Sequence, residues 1–296
     1  RATGADGSTR IVMDAPPERE DCRPWLHVQQ LFHAAGVHVP AVLAADLAQG
    51  FLLLSDLGST TYLNAFDADN TVALYDAATD ALIRLQSASR PHELPPYDRE
   101  LLKRELDLFP DWYIAKHLGI ELSTAQRKIL DDAFETILAV NLAEPQVYVH
   151  RDYHSRNLMV TGPNPGIVDF QDAVYGPISY DLVSLFKDAY VEWPEDLAID
   201  WLVRYWEKAR KAGLPVRADF GDFYRDYEWM GVQRHIKVLG IFARLCHRDG
   251  KDGYLKDMPL VAKYLRTACD RYRALGPFLK LLDEVEGRQM QPGITL

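Results

Sequence analysis

Cysteine is scarce in this chain of 296 residues: there are three, Cys22, Cys246 and Cys269, widely spaced and odd in number. That excludes a disulfide-framed secreted module and a zinc site built on CxxC pairs, and it fits a reducing compartment. Long apolar runs are missing as well. None approaches the roughly 18 residues needed to span a bilayer, and the opening Arg1-Ala2-Thr3-Gly4 has no apolar stretch of the signal-peptide kind. The expected location is the cytoplasm, with no membrane partner. Cations are outnumbered, 33 Lys and Arg against 43 Asp and Glu. The net charge of −10 repels nucleic acid over long range, so any anionic substrate must be met by a local cluster of cations. No internal repeat and no low-complexity tract is present. What remains is a 48% hydrophobic chain, long enough for two domains or lobes around a large core.

The first 57 residues read as a small β-rich lobe with one helix. Arg10 to Ala15 is short, apolar and β-prone, and Pro16-Pro17 stops it because proline removes the ladder donor. Trp25, Val28, Leu31 and Phe32 recur at helical spacing between Asp21 and Ala35, with Gly36 as a C-terminal stop. Ala41 to Leu47 and Phe51 to Leu54, separated by Ala48-Gln49-Gly50, suggest an antiparallel hairpin. Residues 58–296 change to long amphipathic helices. One stripe is Val72, Tyr75, Ala78, Leu82 and Leu85; another is Ile129, Ala133, Phe134, Ile137 and Leu138, opened by a Ser123/Gln126 capping box. Short β-like runs interrupt them at 147–149, 158–160 and 167–168, and Pro194 starts a later helix.

The chemically informative stretch is His150-Arg151-Asp152-Tyr153-His154-Ser155-Arg156-Asn157, with Asp169 closing the next apolar strand 12 residues after Asn157. Asp152 and Asn157 share a segment bracketed by two strands, and Asp169 ends the neighbouring hairpin, so all three can face one cleft. One carboxylate can orient a hydroxyl and take its proton. An amide oxygen and a second carboxylate can serve as hard ligands for Mg2+. Phosphoryl transfer from a nucleotide requires that set.

These residues, with Asp169-Phe170-Gln171-Asp172 and Tyr180-Asp181-Leu182, resemble the aminoglycoside phosphotransferase and choline kinase family. The resemblance implies an α+β, two-lobed protein-kinase-like fold with a small β-rich N-lobe and a large, mainly helical C-lobe. The wording of Val12 to Glu18, His150 to Asn157 and Asp169 to Ala173 is most similar, within that family, to the bacterial anomeric kinases of cell-wall recycling. Those enzymes phosphorylate N-acetylmuramic acid and N-acetylglucosamine at the C1 hydroxyl. Carried over, the resemblance makes Asp152 the catalytic carboxylate, Asn157 and Asp169 the Mg2+ ligands, and Ser55, Asp56 and Leu57 the hinge whose backbone meets the adenine of ATP. Tyr153, His154, Arg156 and Asp181 are expected near the acceptor, Asp181 also as a support for the loop, and His150 as a buttress. ATP, Mg2+ and an amino sugar are the expected ligands, and a monomer the expected state. The alternatives are a kinase of another hydroxyl acceptor, such as an aminoglycoside, choline, ethanolamine or homoserine, or a catalytically silent nucleotide-binding module.

Three departures stand out. Arg151 occupies a position where many family members have Gly, and Gln171 one where an acid is common. No Gly-rich phosphate loop precedes Arg10 and no Lys lies in the following strand; since the chain opens without Met, further residues are expected upstream, and Arg19 or Arg23 is an alternative source of charge. The acceptor is expected to be read by the helix around Phe223 to His247. There Gln233, Lys237, Gly240 and Arg244 recur on one face, with Arg234 and His235 beside them, either as a solvated face or as a cationic wall suited to a carboxylate sugar. Tyr153, Tyr180 and Trp229 are candidate rings for pyranose faces, while Asp219, Asp222, Asp226 and Glu228 would suit a cationic acceptor instead.

Overall fold

The structure is a computed structural model and describes residues 1–287. Its architecture is α+β: a small antiparallel sheet near the N-terminus and a mostly helical remainder. The chain groups into two compact units. One comprises Arg1–Pro96, Gln146–Asp188 and Trp193–Val216; the other comprises Tyr97–Pro145, Ala189–Glu192 and the residues from Arg217 onward. No helix among the described residues is long and apolar enough to cross a membrane.

The first unit opens with β1 (Ala2–Thr3), β2 (Thr9–Asp14), β3 (Val42–Asp46) and β4 (Phe51–Ser55), paired antiparallel in the order β1-β2-β4-β3. The β3–β4 hairpin and the strand at β2 are where alternation and Pro16-Pro17 put them, and Leu52 and Leu54 of β4 face the core. Gly50, in the hairpin connection, has φ +77°, and a Cβ there would lie 2.0 Å from the carbonyl oxygen of Ala15; only glycine fits. Between β2 and β3 runs α1 (Cys22–Ala34). Asp21 caps it by accepting from the Arg23 amide, and Gly36, at φ +75°, turns the chain out.

The same unit holds α2 (Tyr62–Ala65), α3 (Thr71–Ser87) and two short antiparallel pairings around the segment from His150 to Asn157. β5 (Gln146–Val149) pairs with β8 (Val174–Pro177), and β6 (Leu158–Met159) pairs with β7 (Gly166–Ile167). After β8 come α6 (Tyr180–Phe186) and α7 (Glu195–Lys211). Among its described residues, the regular elements of the second unit are all helices. It has α4 (Arg99–Leu106), a π-helical stretch at Phe109–His117, α5 (Thr124–Asn141), α8 (Phe220–Asp249), α9 (Met258–Arg271) and α10 (Gly276–Val285). The capping box at Ser123 and Gln126 forms as expected. The long α8 runs from an Asp219 cap to Gly250 at φ +67°.

Candidate active site

The segment from His150 to Asn157 leaves β5 and enters β6, and it is held by its own backbone before any ligand is considered. Arg151 sits at φ +74°, a region costly for a residue with a Cβ, and Asp181 holds it there. The Asp181 carboxylate accepts the His150 amide at 2.7 Å on Oδ2 and the Arg151 amide at 3.0 Å on Oδ1. The chain then curls: the His154 amide donates to the Asp152 carbonyl at 3.0 Å and the Asn157 amide to the His154 carbonyl at 2.9 Å. The Asn157 side-chain NH2 donates back to the Asp152 carbonyl at 3.0 Å and across to Asp169 Oδ2 at 3.2 Å. Asp169 has φ +64°, and Gln171 donates to its Oδ1 at 2.8 Å. Asn157 thus joins the turn that begins at Asp152 to Asp169, the juxtaposition on which the sequence reading depends.

His150 lies beneath this junction with no exposure. Burial pushes its pKa down to about 4 against the pull of the nearby Asp152 and Asp169 carboxylates, so the ring is neutral at physiological pH. Its tautomer follows from its partners: Nε2 faces the Val168 carbonyl at 3.0 Å and must carry the proton, leaving Nδ1 to accept the Asp152 amide at 3.2 Å. The buttress expected from the sequence is therefore a two-sided strut between the turn and the strand that leads to Asp169. Aromatic packing extends it: Phe32 of α1 lies 6.1 Å from the His150 ring and 5.6 Å from Phe170, and Trp25 lies 5.1 Å from Phe170.

At the hinge, the Ser55 amide is already donated to the Ala41 carbonyl at 2.9 Å, and Ser55 Oγ accepts the Ala41 amide. Its N–H is therefore committed to the sheet rather than to an adenine. Asp56 turns its carboxylate onto the Gly58 amide and the Arg1 guanidinium. Burial raises its pKa, but the hydrogen bonds from Thr9, Arg1 and Gly58 outweigh that and hold it below the usual range.

Residues 1–220 match the model of the family described as "Phosphotransferase enzyme family". The chain belongs to this phosphotransferase family. Proteins named N-acetylmuramate/N-acetylglucosamine kinase match it closely. The one from Neisseria meningitidis serogroup B is 51% identical over 300 residues, covering 100% of this chain and 89% of that protein. The one from Pseudomonas aeruginosa is 51% identical over 282 residues, covering 95% and 83%. Among solved structures, a choline kinase from Streptococcus pneumoniae superposes with a TM-score of 0.61 at 13% identity, over 88% of this chain and 86% of that one. An ADP-bound aminoglycoside phosphotransferase superposes with 0.56 at 16% identity, over 83% and 81%. These distant likenesses carry the fold.

Within the phosphotransferase frame, several residues expected at the acceptor have other employment. Tyr153 has no exposure, its hydroxyl donates to the Ala78 carbonyl at 2.8 Å, and its ring is core rather than a sugar platform. Tyr180 is equally buried, and Trp229 packs on Tyr272 at 5.4 Å. Asp181 is committed to the two backbone amides, so it anchors the loop. His154 and Arg156 stand half-buried on the turn.

On α8 the expectation of a solvated or wall-like face fails for Gln233 and Lys237, because both are buried. Lys237 Nζ lies 2.9 Å from Glu105 Oε1 and Gln233 donates to Glu105 Oε2 at 3.3 Å, while Tyr97 donates to the same carboxylate. His235 is buried with its ring stacked on Tyr264 at 5.3 Å. Arg234 is buried and Arg244 half-buried. Asp226 pairs with Arg217 and Arg225, and Glu228 with Arg271, so neither offers a charge to a cationic acceptor.

The sequence reading missed Asp188. It has no exposure and accepts the Ser155 amide at 2.9 Å on Oδ2. It lies just past the end of α6, two residues after Phe186, where no spacing rule links it to the turn.

Proposed function

We propose that this phosphotransferase moves the γ-phosphoryl group of ATP to the anomeric C1 hydroxyl of an N-acetylated amino sugar, N-acetylmuramic acid or N-acetylglucosamine, in the cytoplasm. The observation that carries the reading is the Asp152–Asn157–Asp169 junction, with Asn157 bonded to both the Asp152 backbone and the Asp169 carboxylate. The acceptor class is supported by relatives of that name at 51% identity over nearly the whole chain. The choline and aminoglycoside enzymes share only the fold at 13% and 16% identity. Three unbridged cysteines suit a reducing compartment.

In this reading residues 1–57 are the nucleotide-binding lobe, with the backbone of Asp56 and Leu57 left to meet the adenine, and the remainder carries the catalytic turn and acceptor residues. Asp152 orients the C1 hydroxyl and accepts its proton. A hemiacetal hydroxyl is more acidic than an ordinary alcohol, so little base strength is asked of Asp152 and more is asked of positioning. Asn157 and Asp169 offer one amide oxygen and one carboxylate, hard donors of the type Mg2+ takes beside phosphate oxygens. Mg2+ bound there would neutralise charge on the transferring phosphoryl group. The neutral His150 transfers no proton in this scheme; it fixes the Asp152 amide.

Asp152→Asn tests the assignment. Loss of a general base costs about 10²- to 10⁴-fold in kcat, with the dissociation constant for ATP near that of the wild type. Loss of ATP binding would instead mark Asp152 as structural. Magnesium-dependent ATP consumption across amino sugars, aminoglycosides and choline, with NMR of the product, identifies the acceptor and the phosphorylated hydroxyl.

A further inference from the structure

Gln171 has no part in the chemistry proposed above, yet the chain around it is built to aim it. Phe170 beside it has no exposure and packs on Phe32 and Trp25, with ring centroids 5.6 Å and 5.1 Å away. The Ala173 amide closes a turn by donating to the Phe170 carbonyl at 3.0 Å, and the Arg151 guanidinium donates to the Asp172 carbonyl at 3.2 Å. The backbone is thus fixed on both sides of Gln171. Its exposed side chain reaches back to give Nε2 to Asp169 Oδ1 at 2.8 Å. The other oxygen, Oδ2, accepts Asn157 Nδ2 at 3.2 Å. Two amide donors, one on each oxygen, therefore pin a carboxylate whose residue is already held at φ +64°. All of these residues belong to one compact unit.

The chemical type of those donors decides what they do. A carboxylate has about four lone-pair sites on its two oxygens, so one hydrogen bond to each leaves room for a cation. An amide donor orients the group without cancelling its charge. A Lys or Arg in the same place would neutralise it, and an ionised Asp or Glu would repel it and have no proton to donate. Outer partners of a metal-binding carboxylate tune the affinity for the metal. We propose that Gln171 is a positioning residue: it presets the Asp169 carboxylate for a divalent cation and leaves the full negative charge to that cation. This deepens the phosphotransferase reading and rests on its assignment of Asn157 and Asp169 to Mg2+.

The test reads binding rather than turnover. Calorimetry gives the dissociation constant of the β,γ-imido analogue of ATP with Mg2+ and again with EDTA, for wild type, Gln171→Met, Gln171→Lys and Asp169→Asn. Met keeps the length of the side chain and loses the donor; Lys keeps a donor and cancels the charge. The expected result is a Mg2+-dependent tightening in wild type that shrinks about tenfold in Gln171→Met and at least as much in Gln171→Lys. The EDTA value of Gln171→Met should match that of wild type. Equal weakening of Gln171→Met with and without Mg2+ marks a merely structural role and overturns the proposal. So does a Lys variant that behaves as wild type. Asp169→Asn separates the proposal from the reading beneath it. A Mg2+ effect lost in Asp169→Asn and kept in full by Gln171→Met sinks the Gln171 role alone. A Mg2+ effect absent from wild type, or intact in Asp169→Asn, sinks the metal assignment and the proposal with it.

Discussion

Asp181 and Asp188 stand seven residues apart and give carboxylate oxygens to amides at the two ends of one loop, His150 and Arg151 at its start and Ser155 near its finish. Asp152 lies between those fixed points and Asn157 just beyond the second, so moving Ser155 shifts both functional side chains. The hypothesis is that Asp188 is a positioning residue. Asp188→Ala should lower kcat about 100-fold, in the range that misplacement of about 1 Å costs, and raise the Mg2+ concentration for half-maximal rate, with Asp188→Asn largely restoring both through its amide oxygen. A lower melting temperature with unchanged kcat and Mg2+ requirement would show a merely structural role.

His150 permits a second prediction at the same scale. Its pKa falls from an ordinary value of about 6.5 in the unfolded chain to about 4 when folded, chiefly through burial. Between those values the unfolded state binds more protons, so stability is fully present above pH 6.5 and is lost as pH drops toward 4. The loss is about 3 kcal/mol. Denaturant melts at stepped pH should show an acid-side decline that a His150→Asn variant lacks, once its constant loss of stability is subtracted. A decline of the same depth in both proteins would assign the acid sensitivity elsewhere.

At the scale of elements, α8 approaches the chain just before the π-helical stretch so closely that Gly240 has no room for a side chain. A Cβ there would lie 2.6 Å from the Leu108 carbonyl carbon and 2.7 Å from its oxygen, and backbone cannot swing away as a side-chain tip can. Gly240→Ala normally gains helix propensity, yet here overpacking should dominate and destabilise by about 1–3 kcal/mol. A chemical denaturation midpoint that rises instead would disprove the contact. The helix at α8 was legible around Phe223 to His247 from the recurrence of residues on its faces, whereas its Asp219 and Gly250 ends were not read. The employment of its polar residues was not, because Glu105, which takes up Lys237 and Gln233, lies more than 120 residues away in sequence. Local spacing says which side chains share a face and nothing about what meets that face. The π-helical stretch escaped for a related reason: its hydrogen bonds shift the helical period, as in Leu118 to Tyr113, and blur the repeat that sequence reading relies on.

Across the whole molecule, the parts most readable in the sequence are those with local causes. Proline and glycine punctuation placed β2 and the β3–β4 hairpin, and the capping box placed the start of α5. The proximity of Asp152, Asn157 and Asp169 was readable because short strands bracket the segments that carry them. The β5–β8 pairing was not, since it joins strands about 28 residues apart and the turn residues between them, Gly162 to Gly166, serve the β6–β7 pair instead. Compactness groups the chain into interleaved segments, whereas the boundary read at residue 57 follows a change of pattern; the first reflects long-range contacts and the second local composition.

The 150–157 turn is tied within its own compact unit, through its own His150, Asp152 and His154 and through Ala78, Val168, Asp169, Asp181 and Asp188. The shape of the turn therefore owes much to carboxylates and carbonyls of that unit. Exchange of Asp181 or Asp188 should accordingly be felt first as faster solvent exchange at the amides of His150, Arg151 and Ser155.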